Sequence, residues 1–203
     1  VGTMKYDEPY YMNGIDTGLS NYINYPKQVK FKTEILVTDL VREFKLGGLN
    51  VLDYGCAMGL HVTELRLRGV TAWGTDISDY AITIGKRKYC AYLDYYNKNL
   101  LTKKWDYVLF LDVLEHMGGE ELISVLKLLK LGKTKKVIVK IPICAKEGGE
   151  FVFEASRNDV THVMCKTKRW WKSLFRGFGY KKFTPINHTY LFDSEGVLAG
   201  VFS

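Results

Sequence analysis

The sequence predicts an α/β fold, a doubly wound sheet of mostly parallel strands with helices on both faces. Three observations carry that expectation. From about residue 26 onwards, short apolar runs alternate with segments of helical period, the pattern of strand–helix–strand crossovers. Two of the runs, DYVLFLDV and KKVIVKIPI, are apolar almost throughout, as strands covered on both faces are. Finally, VLDYGCAMG is a strand running into a glycine loop that opens a helix.

The elements follow in order. Residues 1–25, rich in tyrosine, asparagine and glycine and without an apolar period, read as an extended or partly helical arm and a candidate lid; residues 26–203 read as one domain. Pro26 suits a first helical position, and Val29, Ile35, Leu36, Leu40, Val41 and Phe44 make an apolar stripe that Gly47 and Gly48 end. NVLDYG is a buried strand, Gly59 to Arg68 a helix and VTAWGTDI a second strand. Ser78 to Lys88 is a helix with Ser78 at its N-cap, and CAYLDY a third strand. DYVLFLDV is the fourth. Glu120 to Leu131 is helical and stops at Gly132, and KKVIVKIPI is the fifth strand. The stretch AKEGGEFVFEASRNDVTHV is long for a connection, and such loops tend to carry function. A helix from about Thr167 to Arg176 ends at Gly177 and Gly179; of Trp170 and Trp171, adjacent and so on different faces, one is expected buried and one at a rim. The tail from Tyr180 to Phe202 reads as an antiparallel hairpin turning at Asp193 to Gly196.

Composition narrows the function classes. With 203 residues, 47% hydrophobic and 25% charged, the chain can bury a real core, which excludes disorder, collagen and coiled coil. No run approaches the ~18–20 apolar residues that span a bilayer, and the start has no signal-peptide core, so a cytoplasmic protein with no membrane partner is expected. Cys56, Cys90, Cys144 and Cys165 stand far apart and match no zinc spacing; free thiols and no bound metal are expected. The net charge of +7 is uneven, with 8 basic and 4 acidic residues in 151–203. An anionic partner is one reading of it, a solvated lysine-rich face the other.

The chemistry begins at the glycine loop. Its Gly-x-x-x-Gly spacing matches neither the dinucleotide fingerprint nor the P-loop. Asp76 ends the second strand, where doubly wound folds hold a ribose hydroxyl pair. Loop and acid together point to a nucleoside-bearing cofactor.

The ordered set VLDYGCAMG, AWGTDISDYAI, the Asp94 region and DYVLFLDVLEHM resembles the successive motifs of class I S-adenosylmethionine-dependent methyltransferases, closest to the small-molecule type with a VLEH motif. The resemblance implies a seven-stranded sheet in the order 3-2-1-4-5-7-6 with the last strand antiparallel. It implies that Asp53, Gly55, Cys56, Ala57 and Gly59 surround the methionine part of the cofactor, and that Asp76 and Ile77 hold the ribose and flank the adenine. Asp94 would face the adenine amino group, and Leu111 with Asp112 would line the floor.

Two histidines are candidates for the chemistry. His116 follows the fourth strand, as a general base or a residue that starts a helix. His162 lies in NDVTHVMCKTKRWWKSLF, which resembles a segment of methyltransferases found alongside glycan-modifying enzymes. An imidazole titrating near 6.5 suits proton removal at neutral pH, and the alternative is a hydrogen-bonding loop residue. Tyr6, Tyr10, Tyr11, Tyr22 and Tyr25 put aromatic faces on the arm, suited to a sulfonium or simply to packing. The function expected is methyl transfer to an oxygen or nitrogen of a small molecule such as a sugar or glycan precursor. The alternatives are an RNA or protein methyltransferase, for which Asp112 and Lys140 would be two members of the Lys-Asp-Lys-Glu set of ribose methyltransferases, the sequence placing no convincing remaining Lys and Glu, and a non-catalytic cofactor-binding protein.

Overall fold

A computed structural model describes residues 6–188 and 191–203. Residues 1–5 of the predicted arm, and Thr189 and Tyr190 of the predicted hairpin, lie outside the described residues. The chain divides into two compact units, Val1–Asn97 with Asn158–Thr161, and Lys98–Arg157 with His162–Ser203.

The described part of the arm carries two short helices, α1 (Glu8–Met12) and α2 (Gly14–Thr17), the partly helical of its two expected forms. Helix α3 (Tyr25–Phe44) has Pro26 in its first turn and ends at Lys45 in the left-handed region, whose N–H bonds the carbonyl of Val41. Its buried face is Thr33, Leu36, Val37 and Leu40. Then come β1 (Asn50–Tyr54), α4 (Leu60–Leu67), β2 (Thr71–Asp76), α5 (Asp79–Lys88) and β3 (Leu93–Tyr95). Strand β2 pairs in parallel with β1 (Asp53 opposite Gly74) and with β3 (Thr75 opposite Asp94). Ser78 caps α5, its Oγ accepting from the Ala81 N–H at 2.9 Å, and Lys86, Arg87 and Lys88 face the negative end of the helix dipole.

The second unit holds a 3₁₀ turn (Lys98–Thr102), β4 (Tyr107–Leu111), a second 3₁₀ turn (Leu114–His116), α6 (Gly119–Leu131), β5 (Lys136–Pro142), α7 (Glu154–Asn158), α8 (Lys168–Gly177), β6 (Phe183–Pro185), β7 (Asn187–His188), β8 (Leu191–Phe192) and β9 (Val197–Phe202). Strands β4 and β5 run parallel; β9 is antiparallel to both β5 and β6. All six residues of β9 are buried, as befits a strand between two others. The sheet order is β3-β2-β1-β4-β5-β9-β6, with β7 and β8 a separate two-stranded ladder. Counting only strands of the main sheet, this is the expected 3-2-1-4-5-7-6, with helices flanking it. The small β7–β8 ladder is an addition to the single hairpin read from the tail. Trp171 is fully buried and Trp170 partly so, and the Phe175 ring on α8 stacks on Phe202 at 4.1 Å. Among the described residues no helix is long and apolar enough to cross a membrane.

Candidate functional site

In the first unit the turn after β1 is built on unusual backbone. Gly55, Ala57 and Gly59 all have positive φ, of 85°, 48° and 75°. Ala57 is the costly one, since a side chain in the left-handed region needs outside support. Asp76 at the tip of β2 supplies it: Oδ2 accepts from the Ala57 N–H at 2.7 Å and Oδ1 from the Ser78 N–H at 2.8 Å. The Gly55 and Cys56 N–H groups both bond the carbonyl of Thr75, at 2.8 and 3.1 Å. A β-carbon on Gly85 of α5 would lie 2.7 Å from the carbonyl oxygen of Met58, so only glycine lets the helix approach the turn this closely.

Burial is the main influence on Asp76 and raises its pKa from 3.8 to about 6. The N–H bonds from Ser78 and Ala57 oppose the rise, the nearby Asp53 charge adds to it, and a further N–H bond from Ile77 opposes it. A carboxyl whose folded pKa is raised contributes stability that is complete below its unfolded pKa and is lost as pH rises through about 6. Asp76→Asn cannot ionise. The stability of wild type relative to this variant is therefore expected to fall by roughly 2.5 kcal/mol between pH 4 and pH 7.5, since each tenfold difference in proton affinity between the folded and unfolded states is worth about 1.4 kcal/mol. Urea unfolding of both proteins at the two pH values measures it; a difference independent of pH would place the Asp76 carboxyl in water.

Asp53 on β1 is 1% exposed. Among the described residues its buried Oδ2 has no hydrogen-bond partner, and His61 Nδ1 stands 3.5 Å from it. An orphaned buried carboxylate oxygen suits a cationic ligand group. The Cys56 thiol beside it is pushed well up by burial and then by Asp76 and Asp53, so it stays a neutral lining group. Ile77 is 56% exposed and offers an apolar face, and Asp94 is partly buried on β3.

The arm tyrosines pack on this turn. Tyr10, Tyr11 and Tyr25 form one buried cluster with Ala57, Met58 and Ala81, and Tyr6 and Tyr22 pack against it. Tyr10 donates from its hydroxyl to Asp159 at 3.0 Å. Burial chiefly pushes the Tyr25 and Tyr11 phenols well up, with Asp53 and Asp76 adding to it at Tyr25 and Asp76 at Tyr11.

The second unit carries the remaining residues. Leu111 ends β4 half-buried, and Asp112 follows with φ at 55°. Its N–H bonds the carbonyl of Lys140 at 2.9 Å, and its carboxylate accepts from the Lys140 ammonium. Burial opposes the charge on Lys140, but Asp112, helped by Glu115, outweighs it and holds the ammonium's pKa up. The turn Leu114–His116 then places Glu115 fully buried. The backbone carbonyl of Glu115 accepts from the N–H groups of Val163 and Met164, both at 2.9 Å. This stitches the loop bearing His162 to the turn bearing His116. The His162 Nδ1 lies 2.8 Å from the Ser156 carbonyl and its Nε2 4.0 Å from Glu115 Oε1. The two histidine rings meet edge-on at 4.6 Å, and Phe151 flanks His162 at 5.3 Å.

The structure thus brings Asp53, Gly55, Cys56, Ala57, Gly59 and Asp76 together in one unit, and His116 with His162 in the other. Sequence reading placed Glu115 with His116 after the fourth strand but missed its approach to His162, which lies far along the chain. It also missed the bond from Tyr10 to Asp159, for which no local signal exists.

A seven-stranded sheet in this order, with a glycine turn after its first strand and an acid at the tip of the second, defines a class I S-adenosylmethionine-dependent methyltransferase. The chain belongs to the methyltransferase domain family, which matches residues 30–191, and its cofactor is S-adenosylmethionine. No curated protein sequence matches it. Among solved structures it is similar in fold to magnesium protoporphyrin IX methyltransferase ChlM from Synechocystis PCC 6803 with bound SAH (20% identity, 97% of each chain, TM-score 0.64). It is also similar to a SAM-dependent methyltransferase from Archaeoglobus fulgidus (20% identity, 75% of this chain and 71% of that one, TM-score 0.60). A third likeness is to the N-terminal domain of EvdMO1 in the presence of SAH and D-fucose (12% identity, 84% and 82%, TM-score 0.62).

Proposed function

We propose that this methyltransferase acts in the cytoplasm on an oxygen or nitrogen of a small-molecule acceptor, a sugar or glycan precursor. The observation that carries the reading is the fixed orientation of His162. A carbonyl only accepts, so Nδ1 carries a proton on the Ser156 side, and in the neutral ring the lone pair is then on Nε2, 4.0 Å from Glu115 Oε1. A basic atom held in place beside a buried carboxylate is what activation of an acceptor requires, with His116 against it. The fold likeness to a domain crystallised in the presence of D-fucose agrees with a sugar acceptor, and free thiols at all four cysteines agree with a reducing compartment.

The cofactor supplies a methyl group on a sulfonium. Asp53, with its orphaned oxygen, and the turn residues Gly55, Cys56, Ala57 and Gly59 would hold its methionine part; Asp76 would take the ribose and pin the turn. Ile77 would flank the adenine, Asp94 would meet its amino group, and Leu111 and Asp112 would line the floor. The arm, residues 1–25, acts as the lid, for which its tyrosine cluster on Ala57 and Met58 is the support.

One observation favours a second reading, an RNA or protein acceptor: the basic excess of residues 151–203. Incubating a cell extract with the enzyme and methyl-labelled cofactor separates the two. Label is expected in the low-mass fraction; label retained in RNA or protein would replace the small-molecule reading.

A further inference from the structure

We propose that Glu115, His116 and His162 form a site for a divalent first-row transition-metal cation, which takes the acceptor oxygen as a further ligand. The second half rests on the acceptor reading above. One ligand atom from each of the three residues lies within 4.8 Å of the others, in or beside a buried turn. Ligands about 2.1 Å from a metal stand about 3.0–4.2 Å apart around it. The His162 Nε2 to Glu115 Oε1 separation of 4.0 Å falls in that range. A direct hydrogen bond would close it to about 2.7–3.2 Å. Shifts of roughly half an ångström bring the whole set to bonding distance.

Three further features match a built site. The Ser156 carbonyl holds the His162 ring at Nδ1 and leaves Nε2 as the atom facing Glu115, the second contact that metal-binding histidines typically make. The two backbone bonds to the Glu115 carbonyl hold the loop carrying His162 against the turn carrying the other two ligands, so the site is assembled in advance. The donor set also suits a cation: Glu115 supplies a carboxylate, and the two imidazoles bind as neutral ligands. Two imidazoles and one carboxylate select manganese, iron, cobalt or zinc over magnesium or calcium.

Three protein ligands leave coordination positions for the acceptor. Its O–H proton passes to solvent as the oxygen binds the cation. The oxygen then takes the methyl carbon, and sulfur keeps the electron pair of the broken C–S bond and leaves as a neutral thioether. His162 acts here as a ligand, and its part in acceptor activation runs through the cation. The expectation from cysteine and histidine spacing that the protein binds no metal is replaced by this proposal.

The test is calorimetric titration of the full chain, stripped with chelator, with Mn²⁺, followed by a separate titration with SAH. Manganese is the probe because the Cys144–Cys165 thiol pair would compete for zinc. One Mn²⁺ per chain is expected, with affinity lowered more than about tenfold in His162→Ala and in His116→Ala and unchanged in Cys165→Ser. If His162→Ala does not fold, His162→Gln and the partly exposed His116 position carry the comparison. Absence of stoichiometric Mn²⁺ binding by a wild type that binds SAH, or wild-type Mn²⁺ affinity in both histidine variants, overturns the metal site and leaves the methyltransferase reading intact. Failure to bind SAH strikes that reading instead, whatever the metal does.

Discussion

His162→Ala is expected to lower turnover by about 10²–10⁴-fold, the range over which a positioned group that activates the acceptor acts, while affinity for S-adenosylmethionine hardly changes. The separation of effects follows from where the residues stand. His162 touches Ser156, Glu115, His116 and Phe151, none of which is among the residues assigned to the cofactor. Removing the imidazole leaves the backbone bonds from Val163 and Met164 to Glu115 in place, so the loop keeps its anchor. Single-turnover rates with saturating cofactor, beside a calorimetric titration of the product SAH, measure the two quantities independently. Varying the salt adds a second discrimination. A small acceptor gives a salt-insensitive affinity, while a nucleic acid held by the basic residues of 151–203 gives a steep decline as phosphate counterions are released. A variant of normal rate with a steep salt slope would remove both the acceptor class and the role of His162.

What the sequence made legible is what depends on local period and local caps. The strand and helix alternation, Ser78 at its N-cap and the stop at Gly132 each follow from a few neighbouring residues, and each stands in the structure. The strand order came from the resemblance, because pairing of β9 between β5 and β6 leaves no mark on any one segment. The β7–β8 ladder escaped notice because two-residue strands are shorter than any period. The missed groups share one cause. Glu115 and His162, like Tyr10 and Asp159, meet only after the chain has crossed the fold, and a single sequence carries no record of such meetings. Burial was equally hidden: nothing beside Glu115 announces that its carboxylate has no access to water.

Asp76→Ala is expected to weaken cofactor binding by about 1.5–3 kcal/mol, the scale of a hydrogen bond to a charged group, or roughly 10- to 150-fold in affinity. Two effects add. The ribose would lose its acceptor, and the Ala57 and Ser78 N–H groups would lose theirs. Ala57 sits at a φ of 48° that only outside support maintains, so the freed turn relaxes and ceases to present its backbone to the ligand. Asp76→Asn distinguishes the parts. Its amide oxygen can keep one of the two N–H bonds while its NH₂ cannot accept the other, so an intermediate loss is expected if pinning the turn matters as much as holding the ribose. Calorimetric titration of wild type and both variants with SAH, with unfolding midpoints recorded alongside, decides the matter. Wild-type affinity in the alanine variant would reduce Asp76 to a cap for α5 and displace the cofactor from the tip of β2.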